Sequence, residues 1–89
     1  GSSESRDTPQ YYVKALSTDL SLPMVKALRV SINSNPAMWI TTFKDQGGLN
    51  ALVDVLVTLE KQREKEKKDL EIQLECIRCI LTILNVKVG

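Results

Sequence analysis

Apolar side chains recur every three to four residues along most of this chain and do not alternate with period two, so the pattern predicts helices and no strands. Val13, Leu16 and Leu20, with Tyr12 beside them, define a first helix over 9–20. Thr8 suits its N-cap and Pro9 its first position, where a missing N–H costs nothing. Ser21 can cap a second helix that tolerates Pro23 in its first turn. With Leu28 set at zero on a helical wheel, Met24, Val25 and Ile32 stay within about 60° of it and form a core stripe. Pro36 disfavours the α conformation at Asn35 and ends the helix there. Asn35 then caps a short third helix, with Pro36 at its first position and Met38, Trp39, Ile40 and Phe43 along it. Gly47-Gly48 ends that run.

Leu49, Leu52, Val53, Leu56 and Leu59, widened by Val55 and Val57, make the clearest stripe and predict a fourth helix starting near Leu49. From Glu60 to Glu71, ten of twelve residues are charged, five of each sign. Balanced charge without apolar anchors is not core; it is a solvated helical extension or a mobile connector. Leu70 to Val88 forms a fifth helix of a different kind. Leu70, Leu74, Ile77, Leu81 and Leu84 lie on one side, and Ile72, Cys76, Cys79, Ile83 and Val86 lie around the rest. A helix apolar nearly all round needs cover on more than one side. The pattern therefore predicts a stacked helical array continuing past Gly89, or else a homodimer or domain-swapped pair. Coverage of Ile72, Cys76 and Ile83 within one chain would weigh against self-association.

The second helix carries one position that the core does not explain. Val30 falls near 200° on the same wheel, beside Lys26, Asn33 and Ser34. A β-branched apolar residue thus sits among small polar ones on a face with no intramolecular need for it. Asn33-Ser34-Asn35 ends the helix next to it. These short polar groups either cap their own backbone or offer hydrogen bonds to a partner.

Composition narrows the function. The 89 residues make one domain, with a net charge of +1 that leaves no basic excess for phosphates, so no nucleic acid is expected. There is no histidine, which excludes Ser-His-Asp and Cys-His sites and His-ligated zinc. Cys76-Ile77-Arg78-Cys79 has redox or metal spacing, but it sits in mid-helix and lacks two further ligands. Two buried, reduced thiols are expected there, with no metal and no cofactor. Gly47-Gly48 lacks the Lys and Ser/Thr of a phosphate loop. No apolar run reaches the roughly 18 residues of a membrane span. Two cysteines without a signal peptide point to a reducing, cytoplasmic setting. Gly1-Ser2-Ser3 reads as a cloning remnant, and residues 1–8 as a loose lead. The composition argues for a binding or scaffolding piece with no catalytic residues.

The run Arg29-Val30-Ser31-Ile32-Asn33-Ser34-Asn35-Pro36 is followed by Trp39 and Phe43, then by Gly48-Leu49 and the Leu52/Val53/Leu56 helix. It resembles the N-terminal regulatory region of Diaphanous-related formins. Ile77-Arg78-Cys79-Ile80 through Asn85, Lys87 and Gly89 looks like the next helix of the same family. The resemblance implies an all-α, armadillo-like array fragment of about five helices, in which 9–89 is the N-terminal part of a GTPase-binding and autoinhibitory domain. It implies two partners: an active Rho-family GTPase and the C-terminal autoregulatory segment of the same protein, an amphipathic helix. GTPase binding would then release an autoinhibited actin-nucleating half, in the cytoplasm and on the cytoskeleton. Carried over by position, Val30, Asn33, Ser34 and Asn35 match the GTPase-contacting patch, and Asn85 matches the groove for the autoregulatory helix. Ser34 stands where the family usually has Asn. Two other classes remain open: a generic armadillo or HEAT scaffold binding an amphipathic peptide, and a self-associating helical module.

Overall fold

The computed structural model describes residues 8–86, and these form five helices with no strand among them. They are α1 (Pro9–Thr18), α2 (Leu22–Ser34), α3 (Ala37–Asp45), α4 (Gly48–Lys61) and α5 (Lys67–Asn85). The readings of residues 1–7 as loose, and of 87–89 as the end of the last helix, lie outside the described residues.

Local chemistry sets most boundaries. The Thr8 hydroxyl accepts from the Tyr11 backbone N–H at 3.2 Å, with Pro9 opening α1 as its missing donor allows. α1 ends at Thr18, two residues before the expected end, and leaves Leu20 exposed in the link. Ser21 sits at the N-cap of α2, but its backbone carbonyl, not its side chain, makes the capping contact, accepting from Val25 N–H at 3.0 Å. Asn35 ends α2 and does not cap α3. Its side-chain amide donates back to the Ser31 carbonyl at 2.7 Å, and the cap of α3 is Pro36, whose carbonyl accepts from Trp39 N–H at 2.9 Å. Gly47 turns the chain between α3 and α4 with φ +91°, a conformation that L side chains rarely adopt.

The charged stretch resolves into three parts. Glu60 and Lys61 finish α4, residues 62–66 link, and α5 begins at Lys67, three residues before its first leucine. The early start follows from Asp69, whose carboxylate accepts from Glu66 N–H at 3.0 Å and caps the helix.

The core joins Tyr12 and Leu16 of α1, Val25, Leu28 and Ile32 of α2, Ile40 and Phe43 of α3, and Leu52, Val55 and Leu59 of α4. From α5 come Ile72, Cys76, Cys79 and Ile83. An aromatic ladder ties α1 to α3: Tyr12 meets Trp39 edge-on at 6.0 Å, and Trp39 stacks on Phe43 at 5.9 Å. α5 packs mainly against α2 and α4. The Cα envelope is only 19 Å across its shortest dimension, about two helix diameters. So thin a slab covers α5 on one side. Ile72, Cys76 and Ile83 are covered within the one chain, the condition that weighs against self-association. The other side, Leu70, Leu74, Ile77, Leu81 and Leu84, is exposed along its length.

The thiols of Cys76 and Cys79 are free and buried, on the covered side of α5. Burial pushes both up to about 12, and the neighbouring Glu75 carboxylate adds to the rise. A thiol held protonated is a poor nucleophile. Neither cysteine is therefore expected to react with a disulfide reagent such as DTNB at pH 8 while the chain is folded, and both should titrate at once in guanidinium. Rapid labelling of the native chain would show that α5 opens.

Candidate functional site

The site is built on the last two turns of α2. The covered side of that helix carries Val25, Leu28, Ser31 and Ile32. Val30 lies off that side and is 55% exposed, as its place on the wheel predicts. It does not stand on a flat surface. Val30, Ser34 and Asn35 line an open cavity of about 430 Å³ with Ala27, Ser31 and Tyr12. Tyr12 comes from α1, and its hydroxyl shares a 3.1 Å hydrogen bond with the Ser31 hydroxyl. The cavity is thus a cleft between two helices, floored by an aromatic ring and small side chains and rimmed by one apolar and two polar groups.

Asn33 sits one turn from Val30 on α2. It does not line the cavity, and its side-chain amide donates to the Arg29 carbonyl one turn back at 3.0 Å. Asn35 makes the equivalent bond to Ser31. For the two asparagines the capping alternative is the one observed: each amide nitrogen donates to its own helix one turn back. Asn85, the last residue of α5, is exposed at the end of the bare apolar side, one turn beyond Leu81.

The cleft is uncharged, and the nearest ion pair lies behind it. No charged residue lines the cavity. Arg29, next to Val30, points instead to α5, where its Nε donates to the carboxylate of Glu75. Glu75 is 9% exposed. Linear reading missed Tyr12, Ala27 and Ser31 in the cleft, and the Arg29–Glu75 pair behind it. Tyr12 and Glu75 lie 19 and 46 residues from their partners, which no local periodicity connects. Among the described residues there is no cluster of His, Cys, Asp or Glu fit to hold a metal ion. No helix there is long and apolar enough to cross a membrane.

Among the described residues, the cleft between α1 and α2 is the surface feature that the fold adds to the sequence reading. The chain belongs to the family described as the Diaphanous GTPase-binding domain, whose model matches residues 1–89. It is 34% identical over 84 residues to protein diaphanous homolog 2 of Homo sapiens, covering 90% of this chain and 8% of that protein. Formin-H of Dictyostelium discoideum is 32% identical over 69 residues, or 76% of this chain and 6% of that protein. Cytokinesis protein sepA of Emericella nidulans is 25% identical over 95 residues, or 97% of this chain and 5% of that protein. The chain spans less than a tenth of the length of these relatives. No solved structure matches it. The domain is a GTPase-binding regulatory module of the formin type and all-α.

Proposed function

We propose that the α2 cleft binds an active Rho-family GTPase, with Val30 as its apolar contact, Ser34 and Asn35 supplying hydrogen bonds from the cleft and Asn33 from the helix surface beside it. The observation that carries this reading is Val30: an exposed β-branched side chain beside an open cleft, on a helix whose core side is filled elsewhere. A small apolar residue ringed by neutral hydrogen-bonding groups suits a partner surface that is itself part apolar. Titration with GTP-loaded and GDP-loaded Rho-family proteins tests it. Binding confined to the GTP-loaded form supports the reading, and equal or absent binding of both forms refutes it.

The same proposal places the autoregulatory segment on the bare side of α5. Leu70, Leu74, Ile77, Leu81 and Leu84 follow a four-three spacing, which matches the i, i+3, i+4, i+7 anchors of an amphipathic helix laid alongside. Asn85 closes that row with a polar group. In this account, GTPase at α2 and the segment on α5 exclude one another, and their exchange frees the actin-nucleating half of a cytoplasmic, cytoskeleton-associated formin. Leu81→Glu is expected to abolish binding of the C-terminal amphipathic segment while shifting the melting temperature by only a few degrees, because Leu81 is exposed. A homodimer is the competing use of this row. Light scattering that shows a dimer lost in Leu81→Glu would favour self-association over the segment.

A further inference from the structure

We propose that the Arg29–Glu75 ion pair is the positioning element of the α2 cleft: it fixes the rotation of α2 against α5 and so sets where Val30, Ser34 and Asn35 stand. The inference rests on the reading of that cleft as the GTPase site.

An ion pair of this kind is weak grounds for stability. Glu75 is buried on the side of α5 that carries Ile72, Cys76 and Cys79, where its carboxylate accepts from Arg29 Nε–H, and the Arg29 side chain remains 34% exposed. Pairs of this kind often cost as much in desolvation as they return, and apolar replacements of similar volume are commonly neutral or stabilising. What the pair adds is direction. The close-packed contact between α2 and α5 sets their approach, and the pair adds one polar contact of fixed distance and angle to it. The Arg29 Nε–H donates to one Glu75 oxygen, a bond that weakens steeply away from its preferred angle.

The place of Arg29 gives that direction a consequence. The Arg29 carbonyl takes the Asn33 side-chain amide. Two residues on, the Ser31 hydroxyl holds the Tyr12 hydroxyl of α1, and the Ser31 carbonyl takes the Asn35 amide. The single turn Arg29–Ser31 is therefore pinned to α5 on one side and to α1 on the other, with Val30 between the pins. A helix with its side chains has a radius of roughly 5–6 Å, so a turn of about 15° moves a side-chain tip by about 1.5 Å. Binding constellations tolerate about 0.5 Å. Loss of the α5 pin alone would suffice to misplace the cleft.

The test replaces the pair by apolar residues, Arg29→Met with Glu75→Leu, and separately reverses it, Arg29→Glu with Glu75→Arg. Three properties are followed in the 89-residue chain: the thermal melt, the Asn33 and Asn35 side-chain amide signals in a proton–nitrogen correlation spectrum, and the affinity for a GTP-loaded Rho-family protein. The apolar variant is expected to melt at or above the parent temperature, to shift both amide signals, and to bind about tenfold more weakly. The reversed pair is expected to recover the amide signals and to bind within about threefold of the parent. Parent-like amide signals in the apolar variant overturn the proposal. Loss of folding in that variant overturns it too, since the pair would then be a stability element. If the parent chain itself binds no GTP-loaded Rho-family protein, the functional reading falls, and the melt and amide signals still decide what the pair does.

Discussion

Val30→Asp is expected to abolish GTPase binding and leave the module folded, whereas Leu28→Asp, two residues away, unfolds it. The contrast is a matter of water. Val30 is 55% exposed, so a carboxylate there stays hydrated in the free chain and changes stability by no more than about 0.5 kcal/mol. Leu28 is 0% exposed and lies in the core cluster with Val25 and Ile32 of its own helix. An unpaired carboxylate there costs several kcal/mol, a large share of the roughly 5–15 kcal/mol that holds a domain together. In the complex the positions exchange roles. A carboxylate at Val30 would be desolvated against the partner in a cleft lined by no charged residue. Charging a central contact commonly costs about 2 kcal/mol or more, which takes a micromolar complex beyond the range of most titrations. Thermal melts of both variants, with titration against a GTP-loaded Rho-family protein, decide the matter. If Val30→Asp melts like Leu28→Asp, Val30 is core. If it folds and binds like the parent, the site lies elsewhere.

That contrast was legible from spacing alone, because one helix turn fixes where residues two apart must point. The same logic located the start of α1 at Thr8-Pro9 and the turn at Gly47-Gly48, where side-chain chemistry within three or four residues decides the outcome. It failed where two answers share one pattern. α5 has two apolar sides, and a wheel cannot say which is covered. The more hydrophobic row, with four leucines and an isoleucine, is the one left bare. The covered side carries Cys76 and Cys79, both fully buried, whose small size lets neighbouring helices approach closely. That side also carries Glu75, which reads as a surface residue until Arg29 of α2 meets it. The beginning of α5 was hidden for a different reason. Its first turn holds no apolar residue before Leu70, so periodicity cannot register it, and the signal lies in Asp69 capping Glu66.

The family resemblance and the cleft also carry different information. Position matching puts Asn33 with Val30, Ser34 and Asn35 as one patch. Of the four, Asn33 alone does not line the cleft: it stays beside Val30 on the helix surface, with its amide tied to the Arg29 carbonyl. A linear motif can be continuous while the cleft lining it supplies is not. Tyr12 shows the converse: it belongs to no part of the motif but supplies the aromatic floor of the cleft, through a contact spanning 19 residues.

Gly48→Ala is expected to destabilise the chain by about 2 kcal/mol, more than the same change at Gly47, although Gly47 has the unusual backbone. The reason is distance, not torsion. Gly48 opens α4 directly against the Phe43 ring, and a methyl added there would overlap the ring edge. Phe43 cannot yield cheaply, since it is fully buried and stacked on Trp39 with an interplanar angle of 9°. For a domain of this size, 2 kcal/mol corresponds to a fall of roughly 10 °C in melting temperature. At Gly47 an added methyl meets nothing within 4 Å, so only the cost of φ +91° remains. That cost is about 1–2 kcal/mol for an L residue in the left-handed region. The mechanisms separate on combination with Phe43→Leu. Shrinking the ring should relieve Gly48→Ala, so that the double variant is less destabilised than the sum of its parts by about 0.5 kcal/mol or more. It should do nothing for Gly47→Ala, whose strain is in its own backbone. Additive losses in the Gly48 pair, measured by chemical denaturation of all four variants, would show that the approach of α4 to Phe43 does not limit the packing.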